Sequence, residues 1–459
     1  MSPSASFPVR AWIYRVLTYS AFIAATFTIA GSEASIILLM AAALSDPALW
    51  QWARAGAPPP PLPYGGRNLP AWTWGTLLIL VGLAFVSAFV NPGTLGTLDQ
   101  MRYHYRVFLP FVLLLALPNV DLRRVLSTFA VFIALFSVYG AIQYRFGVDW
   151  LHPEGHKIIR PFDKSGVYMA VGNFSHQMTY GGVMLLAAVF LLGLGTARDS
   201  GSLRARALWT AGGALAALAT LVSLARSAWL GALVGLLILA MLRLPRRWSA
   251  ALGTLAVLAM GGYAALVASA TFLPERLLSP DAPAIVQRIL RTSPQSDVDR
   301  VRMWQSGLMS VRDRPWLGAG MGRAGAVLPA YRQVIIQRYG YTYMLEAGEG
   351  LHDIYLQVTF ELGLLGLAAY LAFWGAIFAW GGKTLIALRT CAAAARVPDA
   401  GLFRGIVQGA VAALGGSMAA GLFENNAYDK EVQGVILLLM GLVLYAGLRV
   451  RAAGASSLA

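Results

Sequence analysis

Charge is scarce in this chain. Only 12% of its 459 residues are Asp, Glu, Lys or Arg, about half the share that a soluble protein carries. Acid is scarcer than base, with 21 Asp and Glu against 36 Lys and Arg and a net charge of +15. Cysteine is almost missing. The single Cys391 excludes an intramolecular disulfide and any cysteine-rich metal site. Histidine is nearly as rare, five in all. No cofactor is expected, and no internal repeat is visible.

What the chain has in abundance is apolar length. It is 58% hydrophobic, and runs long enough to cross a hydrocarbon layer of ~30 Å, about 20 residues each, recur throughout. About twelve spans are expected, near 12–30, 33–50, 71–90, 106–120, 122–144, 174–195, 205–223, 227–243, 248–271, 353–380, 402–423 and 432–448. The first has no small-residue cleavage site after it and reads as an uncleaved span. An even number puts both termini on one side. Arginine chooses the side: with the termini in the cytoplasm, the inner loops collect Arg123, Arg124, Arg198, Arg243, Arg389 and Arg404 among others. This positive-inside pattern accounts for the net charge and removes nucleic acid as a partner. APPPPLPYGG at 57–66 reads as a stiff inner connector. The expected fold is all-α, a polytopic membrane bundle. Residues 1–271 form the first nine spans and 272–352 a large outer loop, and 353–459 form three more spans with a cytoplasmic C-terminus.

That loop holds an amphipathic helix. In SPQSDVDRVRMWQSGLMSVRDRP at 293–315, Ser296 is placed to cap the start, with Asp299 as its box partner. Val298, Val301, Trp304, Leu308 and Val311 then recur as an apolar stripe, edged by Arg300 and Arg302. The Asp297–Val298–Asp299 pair has the form of a metal-binding DxD, but carboxylates in a first turn are already favoured by the helix dipole. WLGAGMGRAG at 316–325 follows no strand and reads as a turn rather than a nucleotide loop.

Three places remain where chemistry can be carried. Arg226, in LVSLARSAWLGALVG, lies between two apolar runs with almost no loop. An arginine so deep faces a partner or a wet cavity, and its planar fork suits a phosphate; a snorkelling anchor is the plainer reading. The outer loop 145–173 adds His152, His156, Lys157, Arg160 and Lys164. Pro153 and Gly155 argue against a helical zinc pair there, leaving solvated charge as the ordinary reading. His352 stands at the last polar position before the span that opens HDIYLQVTFELGLLG. On one continuous helix Tyr355 and Thr359 share its face while Glu361 points away. A lone histidine at a membrane edge is usually structural. Here it shares one face with several arginines and a cover helix, the parts a phosphate-bearing lipid substrate requires.

R-x-x-x-W at Arg300–Trp304, RPWLGAGMG at 314–322 and H-D-x-x-L-Q-x-x-x-E-L-G-L-L-G at 352–366 together resemble the signature of the bacterial O-antigen ligase and polymerase family. LARSAWLGALVG at 224–235 resembles its arginine-bearing span, and VYGAIQYRFG at 138–147 and GNFSHQM at 172–178 are similar to weaker blocks. The resemblance implies a GT-C-like glycosyltransferase of the inner membrane with a periplasmic site. It implies a glycan donor on undecaprenyl diphosphate, lipid A–core oligosaccharide as acceptor, and surrounding membrane lipids. His352 would be the base, and Arg226 with Arg300 the diphosphate ligands, Arg302 and Arg160 being further candidates. Asp353 stands where the family usually has Asn, and an acid there favours a protonated imidazole.

The implied reaction is one displacement at the anomeric carbon, with inversion and without metal. The rivals are the polymerase of the same family, a protein O-oligosaccharyltransferase, and a lipid-glycan transporter without chemistry. A transporter is expected to place ionisable groups mid-span, and the span centres here are nearly free of them.

Overall fold

The computed structural model describes residues 7–25, 29–46, 69–91, 102–151, 159–162, 166–245, 247–248, 251, 253–254, 294–339, 350–389, 397–425 and 428–455. The span expected near 248–271 lies almost wholly outside the described residues. So do the connector 57–66, Cys391, His152, His156, Lys157 and Lys164.

Among the described residues the regular elements are helices. The helices are α1 (Phe7–Ala24), α2 (Ile29–Leu44), α3 (Ala71–Val90), α4 (Leu109–Ala116), α5 (Leu122–Phe146), α6 (Gln177–Gly195) and α7 (Leu203–Val222). They continue with α8 (Arg226–Arg243), α9 (Pro294–Asp313), α10 (Ala324–Tyr339), α11 (Ile354–Arg389), α12 (Ala400–Ala420) and α13 (Lys430–Ala455). Eight of them, α3, α5 to α8 and α11 to α13, are long and apolar enough to cross a membrane. Apolar stretches at Glu33–Leu44 and Tyr105–Asn119 are shorter, where full spans were expected near 33–50 and 106–120.

The centre of the bundle is α6, buried along nearly its whole length. Lipid tails are as apolar as leucine, so helices in a membrane associate by close packing rather than by escaping water. Small residues permit that. A Cβ on Gly193 of α6 would lie 2.3 Å from the Gly409 backbone of α12, and one on Gly231 of α8 would lie 2.7 Å from the Gly416 carbonyl. Gly235 of α8 in turn meets Ala412 of α12, so α8 and α12 run antiparallel. This brings the starts of α6, α8, α11 and α13 and the end of α12 to one end of the bundle.

At that end α9 departs from the expected pattern. It starts at Pro294, so Ser296 lies inside its first turn rather than capping it. The side chains of 294–299, Asp297 and Asp299 included, lie outside the described residues. Its packed face is Met303, Ser306 and Ser310, while Val301 and Leu308 of the expected stripe are 45% and 57% exposed. The reason is close approach: a Cβ at Gly307 would stand 2.7 Å from Leu351, so small residues join Met303, Trp304 and Val311 on the side that meets the bundle.

The longest helix is broken. Gly363 in α11 has φ 71° and ψ −172°, a conformation open in practice only to glycine. The turn after α9 fills the break. The amides of Ala319 and Gly320 donate to the carbonyls of Phe360 and Glu361 at 2.7 and 2.9 Å, and the amide of Leu364 donates to Pro315 at 2.7 Å. Ser87 of α3 closes the joint through the Leu317 carbonyl at 2.7 Å. A broken helix exposes backbone groups that lipid cannot satisfy, and the glycine-rich turn satisfies them.

Candidate active site

His352 does not belong to the helix that follows it. Its φ is +48°, a left-handed conformation that costs a non-glycine residue on the order of 1–2 kcal/mol. Its neighbours hold it there. The indole of Trp304 donates to the Leu351 carbonyl at 3.0 Å, the Leu351 amide donates to Gln357 Oε1 at 2.9 Å, and the Ile354 amide donates to the Gly421 carbonyl at 2.9 Å. The expectation that Tyr355 and Thr359 share its face therefore fails, because the helix begins only at Ile354. Tyr355 instead donates to the Met418 carbonyl at 2.7 Å, and Thr359 to the Tyr355 carbonyl.

The ring meets an acid from elsewhere in the chain. Nδ1 of His352 lies 2.7 Å from Oε1 of Glu424, on the turn between α12 and α13. Glu424 is only 4% exposed, and its other oxygen stands 3.5 Å from Nη2 of Arg300, an ion pair too long for a hydrogen bond. A carboxylate can only accept, so Nδ1 carries the shared proton and Nε2 keeps the lone pair a base needs. Asp353, the sequence neighbour, turns the other way. Its Oδ1 accepts from the Leu356 amide at 2.9 Å, capping α11. Burial pushes its carboxyl above the usual aspartate range, opposed by the amides of Leu356 and Tyr355.

Glu361 faces inward, where it accepts from the Gly322 amide at 3.1 Å, from Gln357 at 2.8 Å and from the Tyr428 hydroxyl. Gln357 thereby ties the break in α11 to the backbone beside His352.

Two further titratable groups surround the dyad. His176 caps α6, its Nδ1 accepting from the Met178 amide at 3.2 Å. Burial holds its pKa below the ordinary histidine value; Glu424 opposes this, while Arg160 and His352 add to it. The stretch that carries His176 is clamped by buried Gln143 of α5, which donates to the Gly172 carbonyl and accepts from the amides of Val171 and Gly172. The blocks VYGAIQYRFG and GNFSHQM thus meet. Asp429 accepts from Thr179 of α6 at 2.9 Å. Its pKa is pushed up to about 7, chiefly by burial, against the pull of that hydrogen bond and with Glu424 and Glu431 adding to the rise.

The sign of the Asp429 shift sets a prediction. In the unfolded chain aspartate ionises at about 4, so between there and about 7 the folded protein binds the extra proton. Stability from this group therefore declines as pH rises across that window. Asp429→Asn is expected to melt at higher temperature than the parent at about pH 8, with the difference shrinking as pH falls toward about 4. Melting curves in detergent across that range check it, and a difference independent of pH would contradict it.

The candidate arginines separate. Arg300 joins Glu424, whereas Nη1 of Arg302, two residues on, donates to Gln305 on its own helix at 2.8 Å. Arg160 is exposed and acts electrostatically on His176. Arg226 opens α8 after a tight turn in which Leu224 has φ +55°, so it stands at the same end of the bundle as His352. Glu424 and Asp429 have no counterpart among the expected site residues, and His176 lies within the GNFSHQM block. The signal available was LFENNAYDKE at 422–431, an acid-rich stretch between two apolar runs.

These features define a polytopic all-helical protein with a carboxylate–imidazole pair and arginines at one end. A family model described as O-antigen ligase matches residues 211–371, from α7 through the break in α11. The matched stretch is about a third of the chain, and over it the chain is similar to the O-antigen ligase family. No curated protein matches the chain.

Proposed function

We propose that this protein is the ligase of its family, moving O-antigen polysaccharide from undecaprenyl diphosphate to lipid A–core oligosaccharide on the periplasmic face of the inner membrane. The observation that carries the reading is the 2.7 Å contact between His352 and Glu424, with Arg300 beside it. A carboxylate behind an imidazole fixes its tautomer and stabilises the imidazolium that forms when the ring takes a proton.

In this reading an acceptor hydroxyl gives its proton to Nε2 of His352 as its oxygen bonds to the anomeric carbon. The bond from that carbon to the diphosphate oxygen breaks, and undecaprenyl diphosphate leaves as the anion. Arg226, Arg300 and Arg160 balance charge growing on the leaving group. Arg300 is then shared: it faces Glu424 before the donor arrives and the diphosphate afterwards, when the imidazolium takes over the carboxylate. One displacement inverts the anomeric centre. A strain lacking the protein is expected to keep long glycan on its lipid carrier and to lose it from lipopolysaccharide. Shortened glycan would favour the polymerase, and glycan missing from a periplasmic protein would favour the protein transferase.

The arginines carry their own test. A charged hydrogen bond to phosphate is worth roughly 1.5–3 kcal/mol, so Arg300→Ala should lose about ten- to a hundredfold in donor-dependent turnover. Arg302→Ala should change turnover little. Measuring the two side by side decides the register, and a crippled Arg302→Ala beside a near-normal Arg300→Ala would exchange their roles. Transfer is also expected to persist in EDTA; loss restored by magnesium or manganese would promote Asp297 and Asp299 to metal ligands.

A further inference from the structure

The end of the bundle opposite His352 holds a cavity of about 770 Å³. Four arginines line it from four different segments: Arg198 after α6, Arg243 at the end of α8, Arg389 at the end of α11 and Arg404 in α12. Leu242 and Leu385 supply an apolar wall. Among the described residues no carboxylate lines it, and none of the four arginines is paired with one.

Topology alone explains arginines at an inner end, but not this arrangement. Other arginines of the same end do take acids: Arg123 lies 2.7 Å from Asp399 and Arg124 lies 3.1 Å from Asp121. Three of those in the cavity are tied instead to neutral oxygens. Arg243 donates to Gln408, Thr196 and the Gly193 carbonyl. Arg389 donates to the Leu242 carbonyl at 3.1 Å, and Arg404 to the Leu388 carbonyl at 2.7 Å. The bonds to carbonyls at helix ends orient the guanidinium groups without neutralising them. A guanidinium has five N–H donors, and Arg389 and Arg404 each commit one in these bonds. Gathered positive charge beside an apolar wall is the arrangement that suits an anionic headgroup at a membrane's inner surface.

We propose that this cavity binds a phosphate ester, and that the headgroup of an anionic phospholipid of the cytoplasmic leaflet supplies it. The site is separate from the transfer centre, and the proposal stands whichever family reaction the protein performs.

The test uses the full chain in vesicles of phosphatidylethanolamine with one-fifth phosphatidylglycerol, extracted in mild detergent, with bound lipid weighed by mass spectrometry. The parent protein should retain phosphatidylglycerol over phosphatidylethanolamine, and Arg389→Gln with Arg404→Gln should retain about tenfold less. Arg243 holds three segments together and its loss can unfold the chain, so Arg198→Gln with Arg389→Gln serves as the second variant. In a parallel arm inorganic phosphate is added to protein in phosphatidylethanolamine alone. A rise in melting temperature there, with no selective retention of phosphatidylglycerol, would assign the cavity to free phosphate and overturn the lipid assignment. Equal retention of both lipids, or equal retention by parent and both variants, would overturn the site.

Discussion

Gly363→Ala is expected to remove the folded protein. The backbone there has φ 71° and ψ −172°, and a Cβ would meet the Trp316 carbonyl oxygen at 2.1 Å and the Leu317 nitrogen at 2.5 Å. Both neighbours are backbone, so no rotamer change relieves the clash. To make room, the turn at 315–320 must leave the break in α11 and surrender the hydrogen bonds from Ala319, Gly320 and Leu364. Strain and lost bonds together come to about 3–5 kcal/mol, a large part of the stability of most domains. Size-exclusion profiles in detergent should show aggregate or no protein. By contrast Gly375→Ala, where a Cβ meets nothing within 4 Å, should behave as the parent. A monodisperse Gly363→Ala with unchanged melting would mean that the joint is not required.

His352→Asn should fold and fail to transfer. Asparagine tolerates the left-handed backbone that His352 adopts, so the loss is chemical rather than conformational. A positioned base contributes about 10²–10⁴ in rate, and turnover of the purified variant should fall by that factor. Glu424→Gln should also be slow, because an amide orients the ring without stabilising its charged form, and its rate should change with pH differently from the parent's. Near-normal turnover in His352→Asn would remove the base assignment.

The two outcomes rest on features of unequal visibility in the sequence. Some spans were legible because twenty apolar residues have few other uses: the expected 71–90 is α3, and 227–243 is α8 within one residue. Gly363 was not legible as a break, since ELGLLG reads as uninterrupted helix until its partner turn, more than forty residues earlier, is in place. The His352–Glu424 pair is a contact across 72 residues of chain, and nothing local to either residue announces the other. Asp353 drew attention by adjacency and proved to be a cap. The face of α9 was misjudged in part: Trp304 and Val311 pack inward as expected, but close approach to α11 selects Gly307 and Ser306 where spacing ranks Val301 and Leu308 inward.

Transfer of glycan to lipid A–core at the His352 site is tested most directly by reconstitution. Purified full-length protein, supplied with undecaprenyl-diphosphate-linked O-antigen and lipid A–core oligosaccharide, should yield glycan joined to the core with inverted anomeric configuration, and undecaprenyl diphosphate in equal amount. Glycan that instead lengthens on its carrier, or a joined product with retained configuration, would contradict the account.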